Sequence, residues 1–323
     1  MATPGKTARN ARPTGDPALL TSRDNRWLKE FRMALRGGLP TENGYVGVEG
    51  VRLVEEALRS GCRIHAVLFS ESGERHHERL SPLIDRPEMA FPVLRTTDRL
   101  FEGLADTEHP QGVAALVHPR ETSFDDLVRT PESACAPLLV VLAGVQDPGN
   151  VGTILRTAAA FGATGAATSA SGISGTASPF SPKALRASAG AALHLPILAG
   201  MSLSILLAQL KVAGVRTLAS SVHELVDHSA VAHEIDRSAV AQRKAGEQPL
   251  LAPWEVDWCQ PVALLVGNEG AGLPDEVEHS ADARIRIPMA SGVESLNAAA
   301  AAAVLFYEAA RQRNSAPQPP EKP

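Results

Sequence analysis

The sequence is poor in cysteine: Cys62, Cys135 and Cys259 are all it has in 323 residues, isolated and odd in number, with no Cys-x-x-Cys pair. That excludes a disulfide framework and a thiolate zinc site, and it suits a reducing compartment. No apolar run approaches the roughly 20 residues of a membrane-spanning helix, so no membrane partner is expected. The N-terminal stretch has Pro, Gly and Arg but no apolar centre, which argues against a secretory signal; the expected location is cytoplasmic. An excess of positive charge is missing too. A net charge of −5 excludes a chain that gathers nucleic acid by overall charge and leaves that task to local patches. Neither Gly-x-Gly-x-x-Gly nor Gly-Lys-Ser/Thr follows a strand, which speaks against an ordinary dinucleotide or phosphate-loop enzyme. His-Glu-x-x-His is absent. His223, His228 and His233 recur at a spacing that rotates them round a helix, so no metal is expected.

What is present is organised around residues 262–313. Val262–Val266 is a short apolar run bounded by Pro261 and Gly267 and predicts a buried strand. Gly267-Asn-Glu-Gly-Ala-Gly272 follows, where glycine lets a ligand lie against bare main chain. A second strand, 283–288, is stopped by Pro288, and Ser295-Leu296-Asn297 then enters a long helix ending near Gln312. This order places Glu269, Ser295 and Asn297 near one another at the carboxyl edge of a parallel sheet, a usual position for a ligand. Six consecutive alanines, Ala298 to Ala303, favour helix. With so little charge on any face, the helix is expected to be largely enclosed.

Composition, 44% hydrophobic and 21% charged, suits a soluble globular protein, and the length allows two domains. Residues 1–17 lack periodicity and are expected to be disordered. Residues 18–119 alternate helices and strands: a basic amphipathic helix at 24–36 with Trp27, Phe31 and Leu35 on one face, a helix at 51–58 closed by Gly61, and strands at 45–48, 64–69, 91–94 and 112–117. Residues 1–36 hold eight Lys or Arg against three Asp or Glu, a local basic patch or simply a solvated tail and helix. Residues 120–137 form a linker with a short helix at 124–129. Residues 138–313 alternate apolar strands (138–143, 165–169, 195–198, 215–220, 262–266, 284–287) with helices, which predicts a parallel sheet covered on both faces. Residues 223–257 are polar and are read as a surface insertion; 314–323 is a Pro-rich tail. Asn150, after Asp147-Pro148-Gly149, is placed as a helix N-cap, and Arg156 on the flank of that helix follows Gly152 by one turn.

Three motifs stand in order: Asn150-Val-Gly152-Thr-Ile-Leu-Arg156; Gly267-Asn-Glu-Gly270; and Ile287-Pro-Met with Ser295-Leu-Asn297. Together they resemble the signatures of the SpoU/TrmH family of SPOUT-superfamily RNA 2′-O-ribose methyltransferases. Val48-Glu-Gly-Val-Arg-Leu-Val-Glu-Glu-Ala-Leu58 and His109-Pro-Gln-Gly112 resemble the substrate-binding domain that precedes the catalytic domain in many members. The resemblance implies an α/β fold whose C-terminal parallel-sheet domain carries a deep trefoil knot, behind a smaller α/β substrate-binding domain. It implies S-adenosylmethionine as cofactor, RNA as partner and a homodimer. It assigns catalysis to Asn150, Arg156, Glu269, Ser295 and Asn297, and cofactor binding to Gly267, Ile287 and Leu296. Arg26, Lys29, Glu49, Arg52, Lys183 and Arg186 are the candidates for RNA contact. Glu49 can equally pair at a helix start, and Lys183 and Arg186 can be solvated cations. Ribosomal RNA of the 23S type is favoured over transfer RNA by the appended N-terminal domain. The rival class is a catalytically inactive RNA-binding, ribosome-associated protein.

Overall fold

The structure, a computed structural model, describes residues 19–86, 90–129, 136–170, 175–220, 248–290 and 295–315. The tail expected at 1–17 and His223, His228 and His233 lie outside the described residues. The chain divides into two compact units. The first is Met1–Arg120 with Phe180–His194, and the second is Glu121–Pro179 with Leu195–Pro323.

In the first unit the elements run Leu19–Leu20 (β1), Arg26–Arg36 (α1), Val46–Glu49 (β2), Val51–Arg59 (α2), Arg63–Ser70 (β3), His77–Ile84 (α3), Val93–Thr96 (β4), Asp98–Glu102 (α4) and Val113–His118 (β5). The sheet order is β1-β4-β3-β5-β2. β1, β4 and β3 run parallel, while β5 is antiparallel to β3 and β2. Asn25 caps α1 by accepting from the Trp27 amide at 2.9 Å, and the helix buries Leu28, Phe31, Ala34 and Leu35 against the sheet. Gly50 turns the chain from β2 into α2 at φ +94, a conformation that penalises any side chain.

The second unit begins earlier than the expected linker boundary. Phe124–Val128 (α5) packs on this unit through Leu127, which is 1% exposed. Then come Leu138–Ala143 (β6), Pro148–Ala160 (α6) and Gly165–Ser169 (β7). Pro182–Ala187 (α7) and Ala191–His194 (α8) belong to the first unit, so the second is interrupted in sequence. It resumes with Ile197–Met201 (β8), Leu203–Val212 (α9), Arg216–Ser220 (β9), Leu250–Leu251 (β10), Val262–Gly267 (β11), Asp275–Ser280 (α10), Ala283–Ile285 (β12) and Ala298–Ser315 (α11). The strands form one sheet in the order β10-β12-β9-β11-β6-β7-β8, every pair parallel. Every residue of β6, β7 and β11 is buried, which is why β6 and β11 read as unbroken apolar runs. One face is covered by α5, α9 and α10 through Leu127, Leu206, Leu210 and Val277. α6 and α11 pack against each other and against β6 and β11.

Two expectations for this unit are corrected. The polar stretch 223–257 is not an insertion throughout: β10 extends the sheet beside β12, and Trp258 just beyond is fully buried, its indole N–H donating to the Pro253 carbonyl at 2.8 Å. Helix α11 is not enclosed. Ala299, Ala302, Leu305, Phe306 and Ala309 are buried, but Val304 and Tyr307 are 42% and 58% exposed. Alanine carries no charge to mark an outer face, so the pattern could not reveal this one. The helix also runs on to Ser315, past its expected end.

Candidate functional site

β6 and β11 are neighbours, yet the helix after β6 covers one face of the sheet and the helix after β11 covers the other. Loops that diverge in this way leave a crevice at the carboxyl ends of the strands. Three chain segments meet there. The first starts at Asp147, whose carboxylate accepts from the Asn150 amide at 2.9 Å and caps α6, with Pro148 in the first turn. This corrects the placing of Asn150 as N-cap: an Asp-Pro pair makes the stronger helix start. The Asn150 side chain is thereby released for other bonds. Its Nδ2 donates to Glu269 Oε1 at 2.7 Å, and its Oδ1 accepts from Asn297 Nδ2 at 3.2 Å.

The second segment is the turn after β11. Gly267 can only be glycine here, since a Cβ would lie 2.4 Å from the Gly272 carbonyl carbon and 2.5 Å from the Leu273 nitrogen. Asn268 was not singled out from the sequence, though an Asn two residues before a Gly is the mark of a side chain that bonds its own turn. Its Oδ1 accepts from the Gly270 and Ala271 amides at 2.9 and 3.0 Å, and its Nδ2 donates to the Gly144 carbonyl at 3.1 Å. The turn carrying Glu269 is thus tied to the loop leading into α6. The third segment is the start of α11, where Asn297 Oδ1 accepts from the Ala299 and Ala300 amides at 2.9 and 3.3 Å. Asn297 is a helix cap and a partner of Asn150 at once.

Beside this trio lies a cleft that opens to solvent. Gly267, Ile287 and Leu296, the three expected cofactor contacts, all line it, as do Glu269 and Ser295. Ile285 and Leu305 supply apolar wall, and Ala298, Ala301 and Ala302 explain the alanine run, since larger side chains would fill the space. Among the described residues no group of three His, Cys, Asp or Glu is placed to hold a metal.

Arg156 does not join the trio. It is exposed on α6, about 120° round the helix from Asn150 and roughly 9 Å along it. In the first unit, Arg26, Lys29, Arg52, Lys183 and Arg186 are all exposed. Lys29 pairs with Asp24 at 3.0 Å and Arg186 with Asp106 at 2.7 Å. Arg52 and Arg186 share a groove with Arg59 and Arg79, which the sequence reading passed over and which Glu55 holds at 2.6 and 2.5 Å. Glu49 is 7% exposed, and its carboxylate accepts from the Asp106 amide at 2.9 Å and from the Thr107 hydroxyl. Its carboxylate is thus engaged by the loop that follows α4.

Residues 137–307 match the family model described as the SpoU rRNA Methylase family, and residues 48–123 match that described as RNA 2′-O ribose methyltransferase substrate binding. The chain is 33% identical over 308 residues to an uncharacterized tRNA/rRNA methyltransferase of Synechocystis sp., covering 95% of this chain and 98% of that one. It is 27% identical over 288 residues to the 23S rRNA (guanosine(2553)-2′-O)-methyltransferase of Bacillus subtilis, covering 89% and 97%. Among solved structures it is similar to the AdoMet-bound rRNA methyltransferase from Sinorhizobium meliloti, with a TM-score of 0.70, 28% identity, and 92% and 98% of the two chains covered.

Proposed function

Because the chain belongs to the SpoU rRNA methylase family, we propose that it transfers a methyl group from S-adenosylmethionine to a ribose 2′-hydroxyl of 23S-type ribosomal RNA. The observation that carries the reading is the meeting of Asn150, Glu269 and Asn297 beside the cleft lined by Gly267, Ile287 and Leu296. The cleft fits the cofactor: its wall is largely apolar, and at Gly267 only bare main chain is tolerated. When bound there, S-adenosylmethionine supplies an electrophilic methyl on a sulfonium.

The protein's own groups do the rest. Gly267, Ile287 and Leu296 hold the cofactor against the loops. Glu269 and Asn297 fix the Asn150 amide, which with Ser295 orients the ribose so that its 2′-oxygen faces the methyl. The hydroxyl is a weak acid, and its proton passes to solvent as the bond forms. Arg156 is permanently cationic, and it grips the adjoining phosphate and steadies the developing alkoxide from the exposed side of α6. Arg26, Lys29, Arg52, Lys183 and Arg186 provide backbone contacts on the first unit.

Ribosomal RNA as substrate is supported by what the Bacillus subtilis relative is named for and by the substrate-binding match at 48–123. Two copies of the chain pair through the exposed apolar stripe of α11, Val304 and Tyr307, with Phe161 packed edge-on to Tyr307 at 5.9 Å. The small residues at the start of α11, besides lining the cleft, are compatible with the trefoil knot of the superfamily, since they allow a close passage of the chain. The working compartment is the cytoplasm.

The test uses radiolabelled S-adenosylmethionine with ribosomal subunits, free ribosomal RNA and transfer RNA, followed by mapping of 2′-O-methyl marks. One new mark in large-subunit RNA is the expected result. Marks confined to transfer RNA would replace the substrate, and no transfer to any RNA despite cofactor binding would favour an inactive RNA-binding protein.

A further inference from the structure

The first unit carries a second constellation that the methyl-transfer reading does not use. Trp27 of α1, Tyr45 just before β2, His65 of β3 and His118 of β5 form a cluster of four rings. Tyr45 and His65 stack with centroids 4.2 Å apart and planes 16° apart. Trp27 lies 5.1 Å from His65, and His118 meets Tyr45 edge-on at 4.4 Å. All four side chains are half-buried, and Trp27 and Tyr45 rest on the core beneath α1. One side of the cluster is anchored and the other meets solvent.

The backbone is bent to build it. On β3, Ile64 pairs with Val117 and Ala66 with Leu116, so His65 is an extra residue with no partner across the ladder. Successive residues of a regular strand point to opposite faces. Here Ala66 belongs to the core under α1, and His65 touches Trp27 of that same helix. The bulge is what brings both to one face, and bulges commonly re-aim a side chain in this way. Tyr45 is fixed as well. Its carbonyl accepts from the Thr41 amide at 2.9 Å, and Glu30 holds that turn through the Thr41 hydroxyl at 2.8 Å and Asn43 Nδ2 at 3.2 Å.

Exposed cations flank the rings. The Arg26 guanidinium is 5.5 Å from the Trp27 ring centre, and Arg63 stands two residues before the bulge on β3. Burial, against the pull of Glu30 and with the help of Arg63 and Arg26, lowers the His65 pKa. The ring is therefore neutral at physiological pH and can stack as an aromatic.

We propose that this cluster is a stacking platform for an unpaired base of the RNA substrate, with Arg26 and Arg63 taking the phosphates on either side. Rings that offer a face to solvent beside guanidinium groups are how proteins take hold of splayed-out bases without reading sequence. The substrate-binding match at 48–123 includes His65 and His118, while Trp27 and Tyr45 complete the platform from outside it. The proposal deepens the RNA-methylation reading and rests on it.

The test is anisotropy of the full chain with a labelled oligouridylate of about 12 nucleotides, against a strand of equal length made of abasic sugars with the same phosphates. At fixed salt the base-bearing strand is expected to bind at least about tenfold more tightly. His65→Ala loses about tenfold on that strand and nothing on the abasic one. Tyr45→Phe keeps the ring and stays within about twofold. Arg63→Ala, an exposed change with little risk to folding, weakens both strands alike. Thermal unfolding of each variant confirms that it is folded. Equal affinity for the two strands, unchanged affinity in folded His65→Ala, or no binding of either strand overturns the platform, the last leaving the rings as a protein-contact surface. Methyl transfer to ribosomal RNA is measured on the same preparation: transfer without base-dependent binding sinks the platform alone, whereas absent transfer to any RNA sinks the activity whatever the strands do.

Discussion

Asn150 Nδ2 donates to Glu269 Oε1 at 2.7 Å although 119 residues of chain separate the two. The bond joins the start of α6 to the turn after β11, and Asn297 closes the group from α11 at 3.2 Å. Glu269→Ala is expected to cut kcat by about a hundredfold or more, on the scale usual for a positioned polar group. Affinity for S-adenosylmethionine should change by less than about threefold. Single-turnover methyl transfer alongside calorimetry checks both, and a parallel loss of cofactor binding would make Glu269 a cofactor contact instead.

Asn297 has two jobs that substitution can separate. Asn297→Asp keeps an acceptor for the Ala299 and Ala300 amides but has no N–H to offer Asn150. Stability should hold while methyl transfer falls at least about tenfold. Asn297→Ala loses the cap as well and should cost about 1 kcal/mol in denaturant unfolding. Equal activity in Asn297→Asp and wild type would leave the cap as its sole role.

Arg156 is exposed, so Arg156→Ala should alter stability by no more than about 0.5 kcal/mol. Transfer should nevertheless be abolished with cofactor binding nearly intact. Near-normal turnover in this variant would remove Arg156 from the chemistry.

At Gly267 the neighbours are backbone atoms that cannot swing aside. Gly267→Ala should push the 268–272 turn outward and abolish the heat of S-adenosylmethionine binding. Amide spectra of the first unit should be unaffected, and a full calorimetric signal from the variant would show that the turn has more room than its geometry implies.

His65 gives a pH dependence whose sign can be worked out. Burial is the main cause that lowers its folded pKa below the ordinary 6.5, with Arg63 and Arg26 adding to it and Glu30 opposing. The unfolded chain therefore takes up the proton first as pH falls. The stability linked to a neutral ring is complete above about 6.5 and is lost as pH drops below it. Between pH 7.5 and 5.5 the wild type should lose more thermal stability than His65→Gln, and the ring's NMR titration should have its midpoint below 6.5. Parallel pH profiles would dismiss the effect.

Much of the second unit was legible because its physics is local. Buried parallel strands such as 138–143 and 262–267 must be apolar throughout, and the glycines of the β11 turn announce a close approach of backbone. The family motifs point to Asn150, Glu269 and Asn297 as one group, and the three side chains do bond one another. What could not be read depends on tertiary choice. Whether Asp147 or Asn150 caps α6 is settled by which side chain is needed elsewhere. The short helix α3 contains Pro82 and has no strong periodicity. The bulge at His65 leaves no mark on an apolar pattern that simply continues.

The excursion of Phe180–His194 into the first unit has a consequence for how the protein is made. His194 bonds Glu56 at 2.9 Å, the Cys62 thiol donates to the Leu193 carbonyl at 3.4 Å, and a Cβ on Gly190 would lie 2.8 Å from the Glu56 side chain. A nascent chain halted at Arg120 lacks all of these. The N-terminal part therefore gains these contacts only after the first strands and helices of the second unit have been synthesised. Birth order and assembly order part company here, and a fragment cut at Arg120 leaves out Phe180–His194, which belongs to the same compact unit.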